Sequence, residues 1–174
     1  MKRIFITLLS LFLFSCSLQY SVKTEEDKYS GSTKTYEENN RVQGFSGSVY
    51  LNLSKQVKED SELVFIRFDY RDANWIYVEK NEGIQILLKN GEVVKLSSVE
   101  MPSRNVESGG DYVGVSESGV LMLDKNTLKT LLSNPIESVR VYGSDSYKEY
   151  GNGTSQLQQR WKEFSNTHLT DFLN

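Results

Sequence analysis

Ile84-Gln85-Ile86-Leu87-Leu88-Lys89-Asn90-Gly91-Glu92-Val93-Val94-Lys95-Leu96-Ser97 is two apolar runs divided by an Asn-Gly pair. Both central residues of a type I′ turn need positive φ, which Asn and Gly tolerate best. A two-residue loop at Asn90-Gly91 predicts that Leu88 pairs with Val93 and Leu87 with Val94. It also sets Lys89 opposite Glu92 as a favourable cross-strand charge pair. Both faces of this hairpin carry apolar residues, which predicts a place inside a layered structure.

Upstream of the hairpin the apolar residues also recur with period two. Phe45, Val49, Leu51 and Leu53 alternate with Ser46, Ser48, Tyr50 and Asn52. Residues 63–70 set Val64, Ile66, Phe68 and Tyr70 on one side. Asp72-Ala73-Asn74 is a turn candidate, and residues 75–78 resume the extended pattern. Downstream, residues 103–111 read as a loop, 112–115 and 120–123 as two short strands, and 136–142 as another. A loop rich in Gly, Ser and Asn follows.

Two helices complete the pattern. Asp124 can cap a short one, with Leu123 and Leu128 as a hydrophobic staple and Leu128, Leu131 and Leu132 as its apolar face. Asn134-Pro135 ends it. Ser155-Gln156-Leu157-Gln158 has capping-box form, and Leu157, Trp161, Phe164 and His168 form one stripe at spacings of four, three and four. The expected fold is mainly β (α+β): an antiparallel sheet or β-sandwich of about seven strands, with a short helix and a C-terminal helix packed on it.

The chain begins Met1-Lys2-Arg3, followed by an apolar run over residues 4–14 and then Ser15-Cys16-Ser17. Two cations, a short apolar core and small residues make the three-part pattern of an export signal. At about 1.5 Å per residue the run reaches roughly 17 Å, too short for a hydrocarbon core of about 30 Å. Leu13-Phe14-Ser15-Cys16 resembles the lipobox of bacterial membrane lipoproteins, although Phe14 departs from the small or β-branched residue usual at its position. The resemblance is confined to the signal region. It implies a diacylglycerol on the Cys16 thiol, cleavage just before Cys16, and firm tethering once two or more acyl chains are present. In the best-known sorting scheme of that class, Ser17 beside the lipidated cysteine implies the outer membrane. Cleavage after Ser17, giving a secreted or periplasmic soluble protein, and an uncleaved anchor are the alternatives. Cys16 is the only cysteine, so no intramolecular disulfide can form.

These boundaries divide the chain into a signal peptide at 1–15, the lipid-attached Cys16 and a polar tether at 16–43, and one β-rich domain at 44–174. The tether reading rests on stretches such as Thr24-Glu25-Glu26-Asp27-Lys28, which lack an apolar period; an edge strand near residues 33–36 is the alternative. Without Lys2 and Arg3, 18 Lys and Arg face 23 Asp and Glu, a formal charge of −5 over 159 residues. That length suffices for one disulfide-free core. The acidic balance, with no cluster of Lys and Arg, argues against nucleic acid as a partner.

The residues offer little chemistry. His168 is the one histidine and sits on an apolar stripe. A zinc site from one His and one Cys is implausible, Asp69-Tyr70-Arg71-Asp72 lacks the glycine of a calcium loop, and no phosphate-binding loop occurs. No cofactor is expected. Asp69 and Glu79 are the carboxylates to test for a secreted hydrolase, which would need them convergent in a cleft. Trp75, Tyr77, Tyr142, Tyr147 and Tyr150 form a possible binding surface, since Tyr and Trp combine area with a polar tip. Half-buried sheet residues are the structural alternative. The expected function is that of a non-enzymatic, lipid-anchored envelope module binding a protein or glycan partner. A hydrolase, and a structural subunit that lends an edge strand to an envelope complex, are the alternatives.

Overall fold

Val64, Ile66, Phe68 and Tyr70 all face one way along strand β5 (Ser61–Asp72), and all four are buried. Its neighbour β4 (Ser48–Lys58) buries Val49, Leu51 and Leu53 on the same side. The computed structural model describes residues 19–80, 83–109, 112–144 and 146–174; Cys16 and the segment expected as a signal peptide lie outside them. The fold is mainly β, with every strand pairing antiparallel.

The larger sheet has seven strands. Its path is β1 (Ser21–Asp27), β2 (Ser32–Glu38), β4, β5, β9 (Tyr112–Met122) and β8 (Ser103–Gly109), with β3 (Arg41–Gln43) beside β4. The smaller sheet runs β11 (Tyr147–Tyr150), β10 (Ile136–Tyr142), β6 (Gly83–Leu88), β7 (Val93–Ser97). One hydrophobic cluster joins the inner residues of both sheets to helices α1 (Lys125–Ser133) and α2 (Thr154–His168). A last short helix, α3 (Thr170–Leu173), follows.

Both long helices bury the faces expected of them. Asp124 caps α1 by accepting from Thr127 N at 2.9 Å. Leu157, Trp161 and Phe164 of α2 are fully buried, and Trp161 Nε1 donates to Leu51 O at 3.1 Å. Gln158 Nε2 donates to Leu131 O at 2.7 Å, occupying a carbonyl at the end of α1 that has no partner within the helix. The capping box at Ser155 does not form. The N-cap is Gly153, at φ 95°, and Thr154 Oγ1 donates to Gly151 O instead.

Several expectations are corrected. The 89–91 turn is a three-residue loop: Gly91 N donates to Leu88 O and Leu88 N to Glu92 O, both at 2.9 Å, and Gly91 alone takes positive φ. This is a type I turn with a left-handed glycine. Val93 therefore pairs with Leu87, and Val94 with Ile86. A one-residue slip exchanges the two faces of a strand. The observed register sets buried Ile84 and Ile86 beside buried Leu96 and Val94.

The tether expected over 16–43 is folded from Ser21 onward into β1, β2 and β3. It escaped the apolar pattern because β1 is exposed along almost its whole length and is held by backbone pairing with β2. Just past β2 Asn39 takes φ 61°, and the strand is interrupted there before β3. The carboxylate of Glu37 fills that break. It accepts from Leu53 N at 2.8 Å, from Asn40 Nδ2 and from Tyr20 Oη.

Residues 103–109, expected as loop, form the polar edge strand β8. The two short strands expected over 112–123 are one, β9, whose inward positions include Glu117 and Gly119 where an apolar residue would have continued the pattern. Phe45 lies outside β4 and is fully exposed. Residues 75–78 form no strand; they run as an irregular strap with Ile76 and Val78 buried.

Candidate functional site

The smaller sheet turns one face to the core and one outward. Along β10, Val139 and Val141 point inward, so Ser138, Arg140 and Tyr142 point out. Tyr142 pairs with Tyr147 of β11, and Arg140 with Glu149. The two tyrosine rings lie 5.4 Å apart, centre to centre. Arg140 fastens the group: its Nη2 and Nε donate to Glu149 Oε2 at 2.6 and 3.0 Å, and its Nη1 donates to Tyr142 Oη at 3.0 Å. Its guanidinium also lies 4.5 Å from the centre of the Tyr147 ring. The hydrogen bond that Arg140 donates to Tyr142 and the ion pair with Glu149 raise the Arg140 pKa, and the same guanidinium lowers that of Glu149. Tyr147 remains 53% exposed.

The strap at residues 75–78 adjoins this hairpin. Ser144 N donates to Tyr77 O at 3.2 Å, and a Cβ on Gly143 would fall 1.6 Å from Ile76 O. Trp75 and Tyr77 stack with ring centres 6.1 Å apart. The strap's backbone donors go to one side chain, the fully buried Glu117 of β9. Glu117 accepts from Ile76 N at 3.1 Å, Tyr77 N at 2.9 Å and Val78 N at 2.8 Å. Arg104 of β8 neutralises it, donating from Nε to Glu117 Oε2 and from Nη2 to Val78 O, and lies over the Tyr77 ring at 5.5 Å. Successive N–H groups turned toward one anion form a nest, and here the anion belongs to the protein.

Four of the five expected surface aromatics are thus brought to one region: Trp75 and Tyr77 on the strap, Tyr142 and Tyr147 on the β10–β11 hairpin. Tyr150 is the exception and is corrected to a core residue. It is 2% exposed and packs edge-on against Tyr70 at 6.4 Å, with its hydroxyl 3.4 Å from Asp72 Oδ2. Burial raises its pKa. Its position inverts that of Tyr147 because the two are three residues apart on a strand.

The remaining candidates are dispersed. His168 is half-buried at the end of α2, its ring 5.0 Å from Phe164, and burial with the nearby charge of Lys55 lowers its pKa. Asp69 is engaged with Arg71 at 2.6 Å, and Glu79 lies 3.7 Å from Arg104. These two carboxylates face different arginines on different elements. Cys16 lies outside the described residues. Glu117, Arg104 and Arg140, which organise the region, carried no sequence motif; the only trace was a charged residue at an inward position of a strand.

Among the described residues no group of three or more His, Cys, Asp and Glu could hold a metal ion, and no helix is long and apolar enough to cross a membrane. No family model, no curated protein and no solved structure matches the chain.

Proposed function

We propose that the chain is a bacterial cell-envelope lipoprotein, held at the membrane by acyl chains on Cys16, whose β-rich domain is a non-enzymatic binding module. The anchor reading is supported by the export pattern and by the Leu13-Phe14-Ser15-Cys16 resemblance. Ser17 beside the modified cysteine favours the outer membrane.

The observation that carries the binding reading is the Tyr142–Tyr147 pair on the outer sheet face, half-buried Tyr142 beside exposed Tyr147, locked by Arg140. Tyr, Trp and Arg dominate the energetics of protein interfaces, and side chains already fixed lose little entropy on binding. A stacked sugar needs an open ring face. Here Arg140 and Tyr142 both lie against the Tyr147 ring, and Arg104 lies over Tyr77. Rings that already carry such neighbours favour an envelope protein over a stacked sugar as the partner of this face.

Two experiments test the proposal. Mass spectrometry of the native N-terminus is expected to find an acylated Cys16, and Cys16→Ala is expected to move the protein from membranes to the soluble fraction. An unmodified Cys16, or a start beyond it, removes the anchor. For the partner, a photo-crosslinking residue is placed at position 147 and, as a control, at the exposed position 58. A discrete envelope-protein adduct is expected only from 147 and is expected to vanish with Arg140→Ala. Equal labelling from both positions overturns the binding face.

A further inference from the structure

We infer that the outer face of the larger sheet carries a second site, built around Arg67, for a saccharide bearing a carboxylate. It is independent of the partner face on the smaller sheet. Alternation along β4 and β5 turns Tyr50, Asn52, Arg67, Asp69 and Arg71 away from the core, opposite to Leu51, Ile66 and Phe68. This face carries an open cleft of about 580 Å³, bordered by Glu38 and Asn39 on one side and by Glu100 and Ser103 on the other. Small-ligand sites run from about 300 to 1,000 Å³.

The face is sheltered although it points away from the core. Tyr36 and Tyr50 are only 6% and 7% exposed. Cations cover their rings: Arg67 lies 4.6 Å from the Tyr36 centre and Arg71 lies 5.0 Å from that of Tyr50.

Arg67 differs from Arg71, Arg104 and Arg140. Arg71 donates from Nε and Nη2 to Asp69, Arg104 to Glu117 and Val78 O, and Arg140 to Glu149 and Tyr142. Arg67 has five N–H donors and, among the described residues, its enclosed Nε meets no hydrogen-bond acceptor. A buried donor left without an acceptor is destabilising, and an acceptor supplied by a ligand relieves it. The stacking on Tyr36 holds the guanidinium at the cleft without using those donors. A carboxylate is the acceptor that meets a guanidinium through two parallel bonds.

The rest of the lining selects what the carboxylate is attached to. Asn39, Asn52, Ser103 and Ser118, each already in an internal hydrogen bond, keep further amide and hydroxyl capacity for sugar hydroxyls, while Glu38, Asp69 and Glu100 oppose a ligand carrying many negative charges. One carboxylate on a hydroxyl-rich body satisfies both conditions.

The test uses the full chain in detergent micelles, titrated with glucuronic acid and with N-acetylmuramic acid, each against its neutral counterpart, glucose or N-acetylglucosamine, and followed by NMR. The two acids distinguish a uronic carboxylate from a lactyl one. At least one acid is expected to bind about tenfold more tightly than its neutral counterpart, with shifts centred on Asn52, Arg67 and Ser118, and Arg67→Gln is expected to lose about that factor. Asn52→Asp provides a second variant that keeps the acceptor for Asn40 N while placing a carboxylate on the residue paired with Arg67. It is expected to occupy Arg67 and abolish acid selectivity. Equal binding of acid and neutral sugars, no binding of either, or full binding by Asn52→Asp overturns the site.

Discussion

Glu117 Oε1 lies 2.9 Å from the backbone nitrogen of Tyr77, forty residues earlier in the chain, and fixes that residue at φ 56°. A tyrosine in the left-handed region is strained, and the carboxylate compensates by taking three successive N–H groups. The arrangement sends Ile76 and Val78 into the core and Tyr77 outward beside Trp75. A buried charge on one sheet thus sets the shape of a surface that borders the other.

Glu117→Gln should therefore loosen the strap and leave Arg104 without its buried counter-charge. Removing one member of a buried pair costs about 3–5 kcal/mol, and the partial exposure of Arg104 places the expectation at about 3 kcal/mol. Urea denaturation measures the loss. Hydrogen exchange should quicken first at the amides of residues 76–78. A variant with wild-type stability and protection would show that the strap holds itself.

Gly143→Ala addresses the same joint from the hairpin side. The new Cβ would sit 1.6 Å from Ile76 O, against backbone that has no rotamer to yield. Overpacking of this kind costs about 1–3 kcal/mol. The variant should also weaken crosslinking from position 147, because the turn and the strap must separate. Retained stability would mean that the two segments are not in rigid contact.

Glu37 makes stability depend on pH. Burial pushes its pKa up from 4.5 to about 7, against the lowering effect of the Leu53, Tyr20 and Asn40 donors. The folded state then binds a proton that the unfolded chain releases near pH 4.5. This contribution is complete below about pH 4.5 and is lost as pH rises to about 7. At about 1.4 kcal/mol per pH unit it totals about 3 kcal/mol. Asp27, Glu38, Asp124 and Glu149, whose pKa values are lowered, act in the opposite sense at more acid pH, and His168, lowered from 6.5, opposes Glu37 within the window, so the comparison with Glu37→Gln isolates the Glu37 part. Denaturant unfolding between pH 4.5 and 7.5 should show stability falling with pH, and Glu37→Gln should flatten that slope. An unchanged slope in the variant would assign the titration to another group.

Trp161→Ala removes the largest fully buried side chain of α2 and its hydrogen bond to Leu51 O. The expected loss is about 3–5 kcal/mol. Trp161→Phe, which keeps most of the volume, should lose less, and the difference between the two isolates the cavity from the unpaired carbonyl. Calorimetry on both variants decides the matter; equal losses would attribute the whole effect to the hydrogen bond.

Much of the core was legible in the sequence. Val64, Ile66, Phe68 and Tyr70 on one side of a strand, the Asp124 cap, and the Leu157–Trp161–Phe164 stripe each express a local period that burial later confirmed. The polar strands β1 and β8 were not legible. At a sheet edge the ladder of backbone bonds stabilises a strand whatever its side chains, so no apolar pattern records it. β9 read as two strands because Glu117 and Gly119 occupy inward positions where the pattern called for apolar residues. The hairpin at 89–91 was found with its register one residue off, since Asn-Gly suits two turn types and only packing on the core chooses between them.

The sequence by itself determined the class of fold and the two packed helices, because each of these follows from periodicity within one segment. Which aromatics reach the surface, and which charges organise them, was decided by tertiary structure alone. Tyr147 is exposed and Tyr150 buried on the same strand, while Glu117 reaches Tyr77, and Arg67 a cleft, only once strands far apart in the chain lie side by side. The physical reason is that a backbone donor or a guanidinium finds its acceptor by proximity in space, and no local pattern of residues encodes that distance.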